Sequence, residues 1–389
     1  VDARPDARDQ ELIARDRATD GPCRDISTLS EVTSPAAPLD FAHGPSWPNR
    51  IALAPLTNLQ SNPDGTLSDD EYAWLVRRAQ GGFGMVMTCA AWVSEKGHTF
   101  SGQLGTSGAD HLPGLTRLAT GLRAAGAVST IQLQHGGRRG DGQFDVSRAA
   151  PWNDPAKNAT AMTTAEVEAT VADFAAAAAL AESAGFDGAE IHGAHGYLLC
   201  QFLDARSNDR TDKYGGSADN RFRIIHEAVD AVRAATGPDF QVGLRLSPER
   251  YGIPLADGRE LAAQMLGSGQ LDYLDMSLWD AFKQPHESEH HGRRMLDHFT
   301  DLPRGTTRLG VAGKILGGDH VRDCLQSGVD FVLIGTGGIL HHDFAARVIA
   351  DPDFASIPQP VTAAHMRAES IGPAFLDYLS TNWDDFVAG

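Results

Sequence analysis

The sequence predicts a closed (β/α)8 barrel, and three observations carry that expectation. From Asn49 onward one unit repeats: a short apolar run rich in β-formers, a loop, then an Ala- and charge-bearing amphipathic helix. Strands alternating with helices imply a parallel sheet, and eight such units over about 310 residues imply closure into a barrel. No GxGxxG follows the first strand, which runs into Ala54-Pro55-Leu56-Thr57, so an open dinucleotide-binding sheet is disfavoured. Unit lengths vary too much for a solenoid.

In order, the strands are expected at Ile51–Ala54, Met85–Thr88, Ser129–Leu133, Gly188–Ile191, Gln241–Leu246, Tyr273–Met276, Arg308–Val311 and Phe331–Ile334. Helical patterns fall at about 68–80, 112–125, 164–184, 218–235, 257–268, 318–327 and 341–350. The clearest boundary is the third helix, where Thr163 and Glu166 stand at capping-box spacing and Gly185 follows Ala184. The segment from Ser277 to Thr307 is long for a loop and rich in His, Glu and Arg, which suits a lid or an extra helix over the barrel mouth.

Residues 1–38 are of different composition. Arg and Asp alternate, large apolar residues are few, and the end is Pro-rich, so a poorly ordered extension outside the core is expected, with 39–389 forming the barrel domain. A formal charge of −18 leaves no basic stripe for nucleic acid. Cys23, Cys89, Cys200 and Cys324 form no CxxC, which excludes an iron–sulfur or zinc-ribbon motif and suits a reducing cytoplasm. No apolar run approaches a membrane span, and no secretory signal is read at the N-terminus.

Once a barrel is assumed, the carboxyl ends of the strands meet at one rim. They bring Pro55-Leu56-Thr57, Cys89-Ala90, Gln132 with His135, His192 with His195 and Tyr197, Arg245, Ser277 with Trp279, Gly313-Lys314 and Gly335-Thr336. A lone histidine after a strand is ordinarily a hydrogen-bonded loop residue. Here two imidazoles and a phenol follow one strand, able to donate hydrogen bonds and a proton to one bound molecule. A zinc hydrolase using His135, His192 and His195 competes with that reading, but no carboxylate accompanies the histidines at the rim. The glycine turns after the last two strands match the phosphate site of many barrels, so a phosphorylated cofactor is favoured. Trp279 reads equally as pocket wall or as core filler.

The stretch IHGAHGYLLCQFLDARSNDRTDKYGGSADNR, with NRIALAPLTN, QLQHGGR, GLRLSPE, AGKI and FVLIG, resembles the Old Yellow Enzyme family of FMN-dependent NAD(P)H:flavin oxidoreductases and ene-reductases over residues 40 to 350. The resemblance implies FMN at the rim and NADPH or NADH as electron donor. It implies that Thr57 bonds flavin O4, that Gln132 and Arg245 face the pyrimidine edge, and that Pro55, Leu56 and Ala90 line the ring. Gly313, Lys314, Gly335 and Thr336 then serve the phosphate. His192 and His195 would hold the oxygen of an electron-poor alkene, quinone or nitro compound, and Tyr197 would deliver a proton. Asn208, Arg210, Tyr214 and Arg221 belong to the same motif and read as scaffolding, with Asp212 and Asp219 as ion-pair partners. Two departures stand out: Thr336 replaces the usual phosphate arginine, which leaves Lys314 to compensate, and Thr57 with Leu59 replaces the Cys and Tyr of one branch. A redox-neutral FMN-dependent isomerase is a further alternative. Oligomeric state is left open, since Tyr378, Trp383 and Phe386 suit either packing on the barrel, the favoured reading, or a dimer contact.

Overall fold

A computed structural model describes residues 34–140 and 148–388. Eight parallel strands close a barrel: β1 (Ile51–Leu53), β2 (Met85–Trp92), β3 (Val128–Gln134), β6 (Gly188–Gly193), β7 (Gln241–Leu246), β8 (Tyr273–Ser277), β9 (Arg308–Ala312) and β10 (Phe331–Ile334). Each is buried on both faces over nearly its whole length, as parallel strands under a helical coat must be. Two short strands, β4 (Arg148–Ala150) and β5 (Ala159–Ala161), pair outside the barrel and have no counterpart in the sequence reading.

The coat is formed chiefly by α1 (Asp69–Gln80), α2 (Leu112–Ala124), α3 (Thr164–Ser183), α5 (Ala218–Ala235), α6 (Leu255–Gly267), α8 (Gly318–Gln326) and α10 (Phe344–Ala350). Short α4 (Leu198–Phe202) follows the histidine loop, α7 (Asp297–Thr300) lies in the 277–307 segment, and α9 (Thr336–Leu340) follows β10. The chain finishes with α11 (Ala363–Ala368) and α12 (Pro373–Asn382). The expected capping box at α3 forms: Thr163 Oγ1 accepts from Glu166 N at 3.2 Å, and Thr163 N donates to Glu166 Oε2 at 2.9 Å. On α5, Phe222, Ile225, Val229 and Val232 make a buried stripe at helical spacing.

Of the 1–38 extension, residues 1–33 lie outside the described residues; beyond them, Arg50 N donates to Pro35 O at 3.0 Å. The next segment closes the barrel floor. Leu39 and Trp47 pair with each other, the Trp47 indole donates to Gln241 Oε1 at 3.0 Å, and its ring packs edge-on against Tyr273 and Phe331 at 5.5 and 4.8 Å.

Above that floor the lumen divides by chemistry. Ala52, Ala54, Met85, Met87, Ala312, Phe331 and Leu333, from β1 and the residue after it, β2, β9 and β10, form an apolar cluster that Val128 of β3 and Tyr273 of β8 join. The remaining strands place Thr130, Gln132, Glu190, Arg245 and Asp275 in buried positions. The polar half leads upward to the histidine loop. A register shift in β2 between Met87 and Ala90 turns the strand end so that Ala90 reaches the mouth.

Candidate active site

A cavity of about 380 Å³ opens at the carboxyl ends of the barrel strands. Its wall includes every residue the sequence proposed for the site: Pro55, Leu56, Thr57, Ala90, Gln132, His192, His195, Tyr197, Arg245, Trp279, Gly313, Lys314, Gly335 and Thr336. Arg139, Tyr251, Ser277, Tyr378 and Trp383 also line it. Tyr378 and Trp383 arrive from the C-terminal segment, where they face the cavity of their own chain.

The histidine loop is held by hydrogen bonds on both sides. His192, at the end of β6, accepts from Ala194 N at its Nδ1 (3.3 Å), and its Nε2 lies 3.3 Å from His195 Nδ1. His195 Nε2 is 2.7 Å from Ser277 Oγ, and His195 N donates to Ser247 Oγ at 3.0 Å. The rings stand edge to face at 5.0 Å, with the Tyr197 ring 5.2 Å from His192. Arg139 donates to His195 O and lies 5.0 Å from the Tyr197 ring centroid. The turn demands Gly196: its φ is +71°, and a Cβ there would come within 2.8 Å of the Tyr251 ring.

Backbone strain concentrates here. Among the described residues nine non-glycine residues have positive φ, and His195, Tyr251, Trp279 and Lys314 of the cavity wall are four of them. Such conformations cost about 1–3 kcal/mol each and persist where the surroundings impose them. At Trp279 the imposing neighbour is Gly313, whose φ is +151° and whose absent Cβ would fall 2.9 Å from Trp279 C and from Asp280 N. Trp279 is 49% exposed, a large apolar surface left open at the mouth. It is wall, not core filler.

Burial dominates the electrostatics. Desolvation first, then the nearby cations, holds both His192 and His195 well below the ordinary imidazole range, so both rings are neutral and each has one N–H. Burial also raises the Tyr197 phenol, which therefore keeps its proton. His135 does not join the pair. It is buried, its Nδ1 accepts from Gly137 N at 3.1 Å, and desolvation lowers it to about 4. Among the described residues the one cluster with metal-ligand spacing is Glu287, Glu289 and His290 at the surface, so the His135–His192–His195 metal site has no geometric basis.

The donors that remain suit FMN. Thr57, Gln132 and Arg245 offer hydroxyl, amide and guanidinium from the ends of β1, β3 and β7, and Arg245 Nε has no well-aligned partner in the protein. At the end of β10, beside β1, the backbone leaves space: a Cβ on Gly335 would meet only Leu56, at 3.6 Å, at the start of α9, where helical N–H groups are unpaired. Lys314 lies 3.3 Å from Asp280 and is 70% exposed. The motif's other polar residues build scaffold. Arg210 pairs with Asp212 at 2.5 Å, and Asn208 donates to Phe202 O and Tyr214 O. Arg221 pairs with Asp257 on α6 instead of the expected Asp219, because the adjacent helix, not its own, meets the guanidinium.

Known proteins share this architecture and sequence. A profile of the NADH:flavin oxidoreductase / NADH oxidase family matches residues 37–299. The chain is 34% identical over 323 residues to a probable NADH-dependent flavin oxidoreductase of Bacillus subtilis, covering 80% of this chain and 86% of that one. It is 33% identical over 322 residues to an NADPH dehydrogenase of Bacillus velezensis, covering 80% and 93%. Morphinone reductase in complex with tetrahydroNAD superposes with a TM-score of 0.73 at 26% identity, covering 89% of this chain and 97% of that one. No helix among the described residues is long and apolar enough to cross a membrane. With the fold, the rim chemistry and these likenesses together, the chain belongs to the NADH:flavin oxidoreductase / NADH oxidase family, the Old Yellow Enzymes, and is an NAD(P)H-dependent, FMN-carrying oxidoreductase.

Proposed function

We propose that the chain is an ene-reductase that reduces electron-poor alkenes through His192, His195 and Tyr197. The observation that carries this reading is the convergence of two neutral imidazoles and a protonated phenol on the cavity that has the flavin donors. Thr57, Gln132 and Arg245 would hold the polar edge of FMN, Pro55, Leu56 and Ala90 its ring, and Gly313, Lys314, Gly335 and Thr336 its phosphate. FMN, when bound, supplies the hydride that reaches the β-carbon of the alkene.

The residues do the rest. A carbonyl oxygen entering between the rings takes the place of their mutual contact and accepts from His192 Nε2–H and His195 Nδ1–H. Ser277 Oγ–H then donates to His195 Nε2, which fixes the tautomer. Two donors aimed at one oxygen withdraw density from the β-carbon and stabilise the charge that develops on the oxygen. Tyr197 Oη–H passes its proton to the α-carbon, and Arg139, facing the phenol ring, steadies the charge left on the oxygen. Trp279, Tyr251, Tyr378 and Trp383 exclude water from this step.

The double variant His192→Ala/His195→Ala tests the reading in anaerobic half-reactions. With FMN retained, flavin reduction by NAD(P)H should stay within about tenfold of the parent, whereas reoxidation by 2-cyclohexenone should slow by at least the ~10²–10³ typical of losing one oxyanion donor. Equal slowing of both half-reactions would sink the assignment.

A further inference from the structure

Under the cavity floor lie two carboxyls for which the proposed chemistry has no use. Gln132, Glu190, Arg245 and Asp275 come from four consecutive strands of the barrel, β3, β6, β7 and β8. Register sets Gln132 beside Glu190 and Arg245 beside Asp275. Glu190 and Asp275 are 0% exposed and Arg245 is 5% exposed. Gln132 Nε2 donates to Glu190 Oε1 at 2.7 Å. Arg245 Nε lies 2.8 Å from Asp275 Oδ2, yet the approach is poorly aligned, so neither atom makes a good hydrogen bond. Glu190 Oε2 and Asp275 Oδ1 make none at all.

Charge counting restricts what this cluster can be. Arginine stays charged, so two ionised carboxylates beside it leave a net charge of about −1 in a dry volume, where an uncompensated charge costs several kcal/mol. One proton removes that excess. We propose that Glu190 and Asp275 hold one proton between them beneath Arg245 and take up a second when the flavin above is reduced, which makes them positioning residues that set the charge Arg245 offers the cofactor. The inference rests on the family's FMN and not on which substrate later oxidises it.

The electrostatics agree with the geometry. Burial, then the Asp275 charge, pushes Glu190 up to about 8; burial pushes Asp275 up to about 6 against the pull of Arg245. Burial therefore draws both carboxyls toward the neutral form, and the retained proton belongs to the pair. Other titratable groups facing the cluster are Tyr273, whose phenol burial holds protonated, and the neutral His192 and His195. From β1, β2, β9 and β10 the lumen receives Ala54, Met87, Ala312 and Leu333, none of which titrates. The balance is simple. NAD(P)H gives up a hydride and leaves as NAD(P)⁺, the site gains one negative charge, and a proton from solvent taken up by the carboxyl pair cancels it. On reoxidation by substrate that proton returns to solvent.

Potentiometry of the holoenzyme against pH tests this. For a two-electron couple each proton contributes about 30 mV per pH unit, so the parent should fall by about 59 mV per pH unit around neutrality. Glu190→Gln and Asp275→Asn should each keep that slope, because the remaining carboxyl still serves Arg245. The double variant should drop to about 30 mV per pH unit. A parent slope of about 30, or a double variant with the parent's slope, overturns the proposal. Should the double variant fail to fold or to bind FMN, redox-difference infrared spectra of the parent decide. A carboxylic-acid C=O band gained on reduction, and altered in the single variants, supports the proposal; a proton placed on the flavin ring, with no carboxyl change, defeats it.

Discussion

The two sides of the cavity are made of different material. On the β3, β6, β7 and β8 side the strand ends carry Gln132, His192, Arg245 and Ser277, whose polar side chains line the cavity. On the β9 and β10 side the turns are Gly313-Lys314 and Gly335-Thr336, where backbone amides and open space take over. The first side selects residue types; the second selects conformations. Substitutions of the substrate-facing histidines on the first side should therefore change rates at constant cofactor content, and those on the second should change cofactor affinity at constant rate per bound flavin.

The largest expected effect lies on the side-chain half. Tyr197→Phe should slow alkene reduction by about 10²–10⁴, the range for a general acid. Quinone reduction should stay within about tenfold, since the quinone accepts its protons on oxygen. Steady-state rates with 2-cyclohexenone and a benzoquinone measure this, and a matched fall in both would remove Tyr197 from the acid's role. On the backbone half the sharpest probe is Gly313→Ala. The new Cβ would meet Asp280 N and Trp279 C at 2.9 Å in a conformation alanine rarely adopts. Strain of about 1–3 kcal/mol should weaken FMN by about 5- to 150-fold in a fluorescence titration, with turnover per bound flavin unchanged. A variant that keeps its FMN but turns over slowly would dissolve the division between the halves.

The same division explains what could be read from the sequence. Parallel topology alone sends strand ends to one rim, so finding His192, Arg245, Thr57 and Gly313 in one cavity required only the strand positions, and all eight strands lie where the apolar runs fall. Arg139, Tyr251, Tyr378 and Trp383 reach the cavity from loops and from the C-terminal segment, whose paths no local pattern encodes. Glu190 and Asp275 were legible but unread: a carboxylate inside a strand buried on both faces needs a partner, and GAEIH and YLDMS each contain one. Gln132 was expected at the flavin; its amide donates to Glu190, a neighbour fixed by strand register. Arg221 found Asp257 rather than Asp219 because helix-to-helix packing, unlike spacing along one helix, is set by the tertiary structure.

The smallest effect belongs to the one charge on the backbone half. Under the proposed placement of the cofactor, Thr336 takes the position of a phosphate-binding arginine, and Lys314 is the cation nearest it among the turn residues after β9 and β10 in the cavity wall. Its ammonium is already 3.3 Å from Asp280, and its side chain is 70% exposed. Exposed pairs of this kind are worth about 0–1 kcal/mol, so the charge Lys314 lends a phosphate is small and shielded. Lys314→Ala should weaken FMN by about two- to fivefold at low salt. At about 1 M salt, where the screening length falls to about 3 Å, the variant and the parent should bind FMN alike. Asp280→Asn should act in the opposite sense by freeing the ammonium. Unchanged affinity in Lys314→Ala would leave the phosphate to the amides of the two turns alone. A loss beyond tenfold that survives high salt would instead show a desolvated ion pair, and the β9–β10 side would then rely on side-chain charge as much as the other.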